Sequence, residues 1–148
     1  MEPYEKIEGF DKVVQVFGYW PSFHDAEILI FNLSRSSGSD DGYNSPAIEF
    51  VVHGWEMTSE VTSGGFYKLQ KHHIVHFRFY DIFDLEIEGF NHQNAIMSLE
   101  IELLPENENG VSNLYIVLDP AYGLGAEFKS SKGEVLSIVA CDENGNVS

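Results

Sequence analysis

At 148 residues the chain is long enough for one domain with a real hydrophobic core, and its 43% hydrophobic and 14% aromatic content argues against general disorder. Its 24 acidic and 8 basic side chains give a net charge of −16, which disfavours phosphate backbones and anionic membrane surfaces, since both recruit clustered Lys and Arg. The lone Cys141 excludes an internal disulfide and any zinc site needing two thiolates, and suits a reducing cytoplasm.

Met1 to Lys6 lacks a basic segment followed by an apolar core, so no signal peptide is expected. Residues from Tyr4 to Phe17 hold one helical pattern: Phe10, Val13, Val14 and Phe17 recur at helical spacing, and Gly18 stands where a C-terminal cap belongs. Pro21 bars further helix. Ala26 to Leu33 reads as the first strand. The polar stretch from Ser34 to Pro46, with its Ser36 to Gly42 core, predicts a flexible hairpin loop. Ala47 to Trp55 is the second strand, and Met57 to Gly65 a polar connection. Lys71 to Tyr80 is the third strand. Ile82 to Gly89 and Ala95 to Leu104 alternate cleanly, with Phe83, Leu85, Ile87, Leu99 and Ile101 inward and Asp84, Glu86, Glu88, Glu100 and Glu102 outward. Asn113 to Leu118, Gly125 to Lys129 and Gly133 to Cys141 follow, adding Leu114, Ile116 and Phe128 to the expected core. Residues 142–148 read as a polar tail that frays.

Strands dominate and no βαβ rhythm is present. The expectation is therefore an α+β, mostly β single domain spanning 1–148. It would have an antiparallel sheet or sandwich of about seven to eight strands, a β-rich body over 25–141 and one N-terminal helix at about 4–17.

Catalytic and metal chemistry find little footing. His72 and His76 would share a zinc-hydrolase face on a helix, but that motif needs Glu where His73 stands. On a strand they lie about 13 Å apart, too far for one ion. Consequently no metal or cofactor is expected. Gly123 to Phe128 opens like a dinucleotide fingerprint but has Phe128 in place of the third glycine. Neighbouring His24 and Asp25 could form a dyad or could satisfy backbone groups at a turn. Asn91, His92, Gln93 and Asn94 could bind a ligand or could close a turn through their own amides. The two groups could also meet in space, with His24, Asp25, Asn91, Gln93 and Asn94 as a structural polar network pinning the sheet.

Two segments carry a resemblance: Pro21-Ser22-Phe23-His24-Asp25-Ala26-Glu27 and Phe90-Asn91-His92-Gln93-Asn94. Together they resemble the immunity protein 50 family of bacterial polymorphic-toxin systems. The resemblance runs from Phe17-Gly18 to the final strand at Val135 to Ile138. It implies a small cytosolic protein that neutralises a cognate toxin by stoichiometric binding and has no enzymatic activity. The charge balance points to a basic toxin, steered by opposite fields. Candidate contacts are Asp84, Glu86, Glu88, Glu100 and Glu102, with Trp55 as an aromatic anchor. The alternative is a small-molecule binder or enzyme using a pocket of His24, Asp25, His92 and Asn94. Burial of these residues among hydrogen bonds would favour the first reading, and convergence in an open pocket the second.

Overall fold

The computed structural model describes residues 2–35 and 45–147. The hairpin loop expected over Ser36 to Gly42 lies outside the described residues. A 3-10 turn at Pro3–Lys6 leads into a short strand β1 (Ile7–Glu8) and the helix α1 (Phe10–Phe17). Eight more strands follow: β2 (Glu27–Ser34), β3 (Ala47–Val61), β4 (Tyr67–Tyr80), β5 (Phe83–Glu88), β6 (Ala95–Leu103), β7 (Leu114–Tyr122), β8 (Gly125–Ser130) and β9 (Lys132–Ala140). They join in one sheet in the order β1-β9-β4-β3-β2-β6-β7-β8-β5. Among the described residues the fold is mostly β, one mixed sheet of nine strands with a single α-helix, close to the expected seven to eight strands and one N-terminal helix. Pairing is antiparallel everywhere except β1 with β9, which run parallel.

The helix begins at Phe10 rather than near Tyr4. Gly9 takes a left-handed φ of 84° and breaks continuity with the residues before it, and Ile7 and Glu8 pair with Gly133 and Glu134 instead. Gly133 is required there: a Cβ would stand 2.6 Å from the Phe79 ring. At the other end Gly18, with φ 87°, donates its N–H to Val14 O at 2.7 Å, as the cap pattern predicts. Val13 and Phe17 are buried, and the helix packs on β9.

Strand order alone hides the layering. Phe79 on β4 and Phe128 on β8 are far apart along the sheet, yet their rings pack edge to face at 5.4 Å. The sheet therefore folds back over itself between β2 and β6, and its two halves share one core. Buried aromatic rings run through that core from Phe17 to Phe23, Phe77, Phe50, Phe79 and Phe128, each in ring contact with the next. Such pairs contribute about 0.5–1.5 kcal/mol each beyond their buried area. On the opposite side, Ser130 Oγ and the Ser131 N–H both donate to Tyr80 O, at 2.7 and 3.1 Å, and tie the two halves together.

Two local expectations fail, and the tail adds a turn. The polar connection over Met57 to Gly65 is strand as far as Val61, because Met57 and Val61 pair with Leu69 and Tyr67 in an arm that extends beyond the core. Within the polar tail, the Asp142 carboxylate accepts the N–H groups of Asn144 and Asn146 at 2.9 and 2.8 Å and forms a turn. Finally, the inward face assigned to β5 is mostly open. Phe83 and Ile87 are 41% and 40% exposed and Leu85 is half-buried. β5 is an edge strand with a register shift between Phe83 and Glu86 and a left-handed Asp84 (φ 53°). The shift breaks the alternation: Phe83 falls in register with Lys129, whose ammonium lies over its ring, while Ile87 stands opposite Ala126 at the uncovered edge. The remaining expected core residues, Leu99, Leu114, Ile116 and Phe128, are buried, and Ile101 is half-buried.

This distinction is measurable. Leu99→Ala is expected to lower unfolding free energy by about 2–5 kcal/mol in urea titration. Ile87→Ala, on the open edge, is expected to cost less than about 1 kcal/mol.

Candidate functional site

The two quoted segments meet where the sheet folds back. In the ladder itself, β2 and β6 share only the Glu27 and Ala95 register. Contact is extended by the residues on either side. Asp25 N–H donates to Ile96 O, Ile96 N–H to Ala26 O, Ile28 N–H to Asn94 O and Leu99 N–H to Ser22 O, all at 2.8–3.0 Å. Phe23 and Asp25 both adopt left-handed backbone, with φ 59° and 63°. Such conformations cost about 1–3 kcal/mol each in a non-glycine residue. Burial of Phe23 helps to offset this, and Gly54 makes room for its ring, since a Cβ there would lie 2.9 Å from Phe23 Cδ1.

Asn94 is the hub of the junction and is only 3% exposed. Its Oδ1 accepts the N–H groups of Asn91 and Leu124 at 2.9 and 3.0 Å, and its Nδ2 donates to Asn91 O at 2.9 Å. Its backbone N–H donates to Glu27 Oε1 at 2.9 Å. The side chain thus links three elements that would otherwise leave polar groups unpaired in the interior. Gln93 contributes through its carbonyl, which approaches Gly123 so closely that a Cβ there would stand 2.1 Å away. Asn91 Oδ1 accepts from His92 N–H and His92 Nδ1, and the His92 ring rests edge-on against Tyr122.

His24 and Asp25 are open to solvent, unlike the buried Asn94. Both are about half exposed, with His24 Nε2 at 3.4 Å from Asp25 Oδ2. His24 Nδ1 donates to Met97 O at 2.9 Å. His24 opens onto a hollow of about 190 Å³ shared with Tyr19, Trp55 and Glu56, whose walls include neither His92 nor Asn94. This hollow therefore does not gather the four residues of the pocket alternative. Among the described residues, no three His, Cys, Asp or Glu side chains are grouped so as to hold a metal ion.

The acidic candidates come together more closely. Register places Glu100, Val117, Glu127 and Glu86 side by side across β6, β7, β8 and β5. The adjoining row is Glu102, Tyr115, Lys129 and Phe83. Glu88 stands opposite Gly125, and Asp84 is ion-paired to Lys129 at 3.0 Å. Glu86, Glu88, Glu127, Val117 and Pro120 line an open hollow of about 370 Å³. Sequence alternation found the charges of β5 and β6. It missed Glu127 and Tyr115, because only the long-range register brings β8 and β7 between them.

Crowding of like charges leaves a mark on this face. A hydrogen bond to Glu127, reinforced by that residue's charge, pushes the Glu86 carboxyl above the usual carboxylate range. Glu127 is held low, first by the Tyr115 hydroxyl that donates to it and then by its bond with Glu86. Trp55 belongs to the other half of the fold. Its ring is half-buried against His53 and His72, with centroids 5.0 and 5.7 Å away, and it is not on the acidic face.

A family model described as Immunity protein 50 matches residues 9–116. The chain belongs to the immunity protein 50 family. That match takes in α1, both junction segments and the acidic strands β5 and β6, while β8 and β9 lie beyond it. Neither the curated proteins nor the solved structures gave a match. Among the described residues, no helix is long and apolar enough to cross a membrane.

For this member of the immunity protein 50 family, the junction makes a sharp stability prediction. Asn94→Ala orphans the buried N–H of Leu124 and frees the part-buried N–H of Asn91, and is expected to cost about 1–3 kcal/mol in urea unfolding. His24→Ala, exposed and with one hydrogen bond, is expected to cost under about 1 kcal/mol.

Proposed function

We propose that this chain is a cytoplasmic immunity protein that neutralises a cognate, basic bacterial toxin by binding it stoichiometrically. Membership of the immunity protein 50 family carries this reading. The proposed docking surface is the outer face of β5–β8, centred on Glu86, Glu100 and Glu127 and bordered by Asp84, Glu88 and Glu102.

The physical support is the aligned carboxylates. Like charges opposed across a sheet are destabilising, and a basic partner relieves that repulsion on arrival. The net charge of −16 extends the effect into solution as long-range steering. Tyr115 and the half-buried Val117 supply apolar surface among the charges. A plugging or masking role needs no catalytic group. Competition from the small-molecule reading is weak, because the Asn94 side chain is committed to backbone hydrogen bonds and is buried among them.

Co-expression with the toxin encoded alongside this chain is expected to protect cells, and the purified pair is expected to associate below about micromolar concentration. The double variant Glu86→Lys and Glu100→Lys is expected to slow association at least about tenfold at low ionic strength and to flatten its salt dependence. Unchanged kinetics in that variant would move the contact surface elsewhere. Absence of both protection and association would remove the immunity reading.

A further inference from the structure

We propose that the His53 and His72 imidazole pair is a proton-operated latch that holds the C-terminal turn Asp142–Asn146 closed against β3 and β4, and that acidification below the ordinary histidine range releases it. The inference stands on the geometry of the pair and does not rest on the toxin reading.

His53 on β3 is 5% exposed, and its Nε2 lies 3.0 Å from Nδ1 of His72 on β4. In the neutral pair one nitrogen donates its hydrogen to the lone pair of the other. A single added proton leaves that bond intact as an imidazolium donating to an imidazole. A second proton removes the lone pair, and two cations then face each other across the same gap.

The turn closes over this pair. Gly145, with φ 83°, lies so near His53 that a Cβ would come within 3.4 Å of Nδ1. Internally the turn is tied by Asp142, whose carboxylate accepts from Asn144 and Asn146. Two backbone bonds close it further, Asp142 N–H to Asn146 O at 3.0 Å and Gly145 N–H to Asp142 O at 3.1 Å. Just before it, Cys141 N–H donates to His72 O at 3.1 Å. Glu143 and Asn144 form a wall, with Trp55 and His72, of a hollow of about 490 Å³. The turn thus roofs His53, and movement of His72 acts at its root.

The charged surroundings determine the sign. From β4, His72 faces His53, and Lys68 lines the same hollow as His72. From β2, Glu27 is in register with His53, but one of its carboxylate oxygens accepts the Asn94 N–H. From the turn come Asp142 and Glu143, with the Cys141 thiol at its base. Burial first, and His72 second, lower the His53 pKa, with Asp142 opposing them. The closed state is therefore fully favoured above the ordinary histidine value of about 6.5 and loses its advantage as pH falls toward the lower folded value. Asp142 is itself held low by its bonds to the turn amides, so it stays ionised through this window.

Amide hydrogen exchange on the intact protein tests the latch. After correction for the intrinsic pH dependence, protection at Asn144, Gly145 and Asn146 is expected to fall at least about tenfold between about pH 7.5 and about pH 5. Val75 and Phe77, in the core of β4, should hold theirs. The variant His72→Gln keeps an acceptor for His53 but cannot become a cation, so its turn protection should stay within about threefold over the same range. Undiminished protection of the turn in the natural protein would overturn the proposal. So would an equal loss in His72→Gln, which would assign the response to another group.

Discussion

Everything in this fold hangs on the place where one sheet becomes two facing layers. Between β2 and β6 the ladder narrows to the single register pair of Glu27 with Ala95, and the flanking backbone must complete the joint. Completing it requires two non-glycine residues in left-handed backbone and a buried asparagine with its polar atoms satisfied. Asn94 provides this because an amide can accept and donate at once, so one side chain settles Asn91 and Leu124 together. A carboxylate could accept but not donate, and an aliphatic residue could do neither. Given that joint, Phe79 can meet Phe128, and the aromatic core follows.

The same joint sets the outer faces. Once the second layer is folded over the first, the polar sides of β5–β8 point away from the core with their carboxylates in rows. No local feature of β8 predicts that Glu127 will stand between Glu86 and Val117. The crowding is a by-product of register, and register is dictated by burying Leu114, Ile116, Leu118 and Phe128 on the other side.

How much was legible in the residues depended on how local the deciding physics was. The cap at Gly18 and the strands from Ala47 and Ala95 follow from short-range conformational preference, and they were readable. A polar knot between two amphipathic strands, Asn91 to Asn94, must also answer for its amides, and the Asn94 side chain bonds the Asn91 backbone at both its atoms. Phe83 misled because the register shift after it puts it in the row of Glu102, Tyr115 and Lys129, and Ile87 because alternation cannot say whether anything covers a face. The start of the helix was obscured because Gly9 is tolerable in a helix until Ile7 finds a partner in Gly133, far along the chain. The final turn did carry a signal, in Asp142 and the Asn144-Gly145 pair. What makes it more than a loose end is contact with His53, which nothing local reveals.

Strand β9 lies between β1 and β4, although it is the last strand in the chain. During synthesis β4 is complete some fifty residues before its second neighbour exists, an interval of roughly 3–10 seconds at about 5–20 residues per second. Throughout that interval one edge of the central β4 is bare, and β1 has no strand to join. With β2 already available to β3, the bare edge is that of β4, and an unpaired strand edge of this kind invites edge-to-edge association. The β1–β9 and β4–β9 pairings of the native sheet both wait for β9, so one strand late in the sequence closes two edges at once.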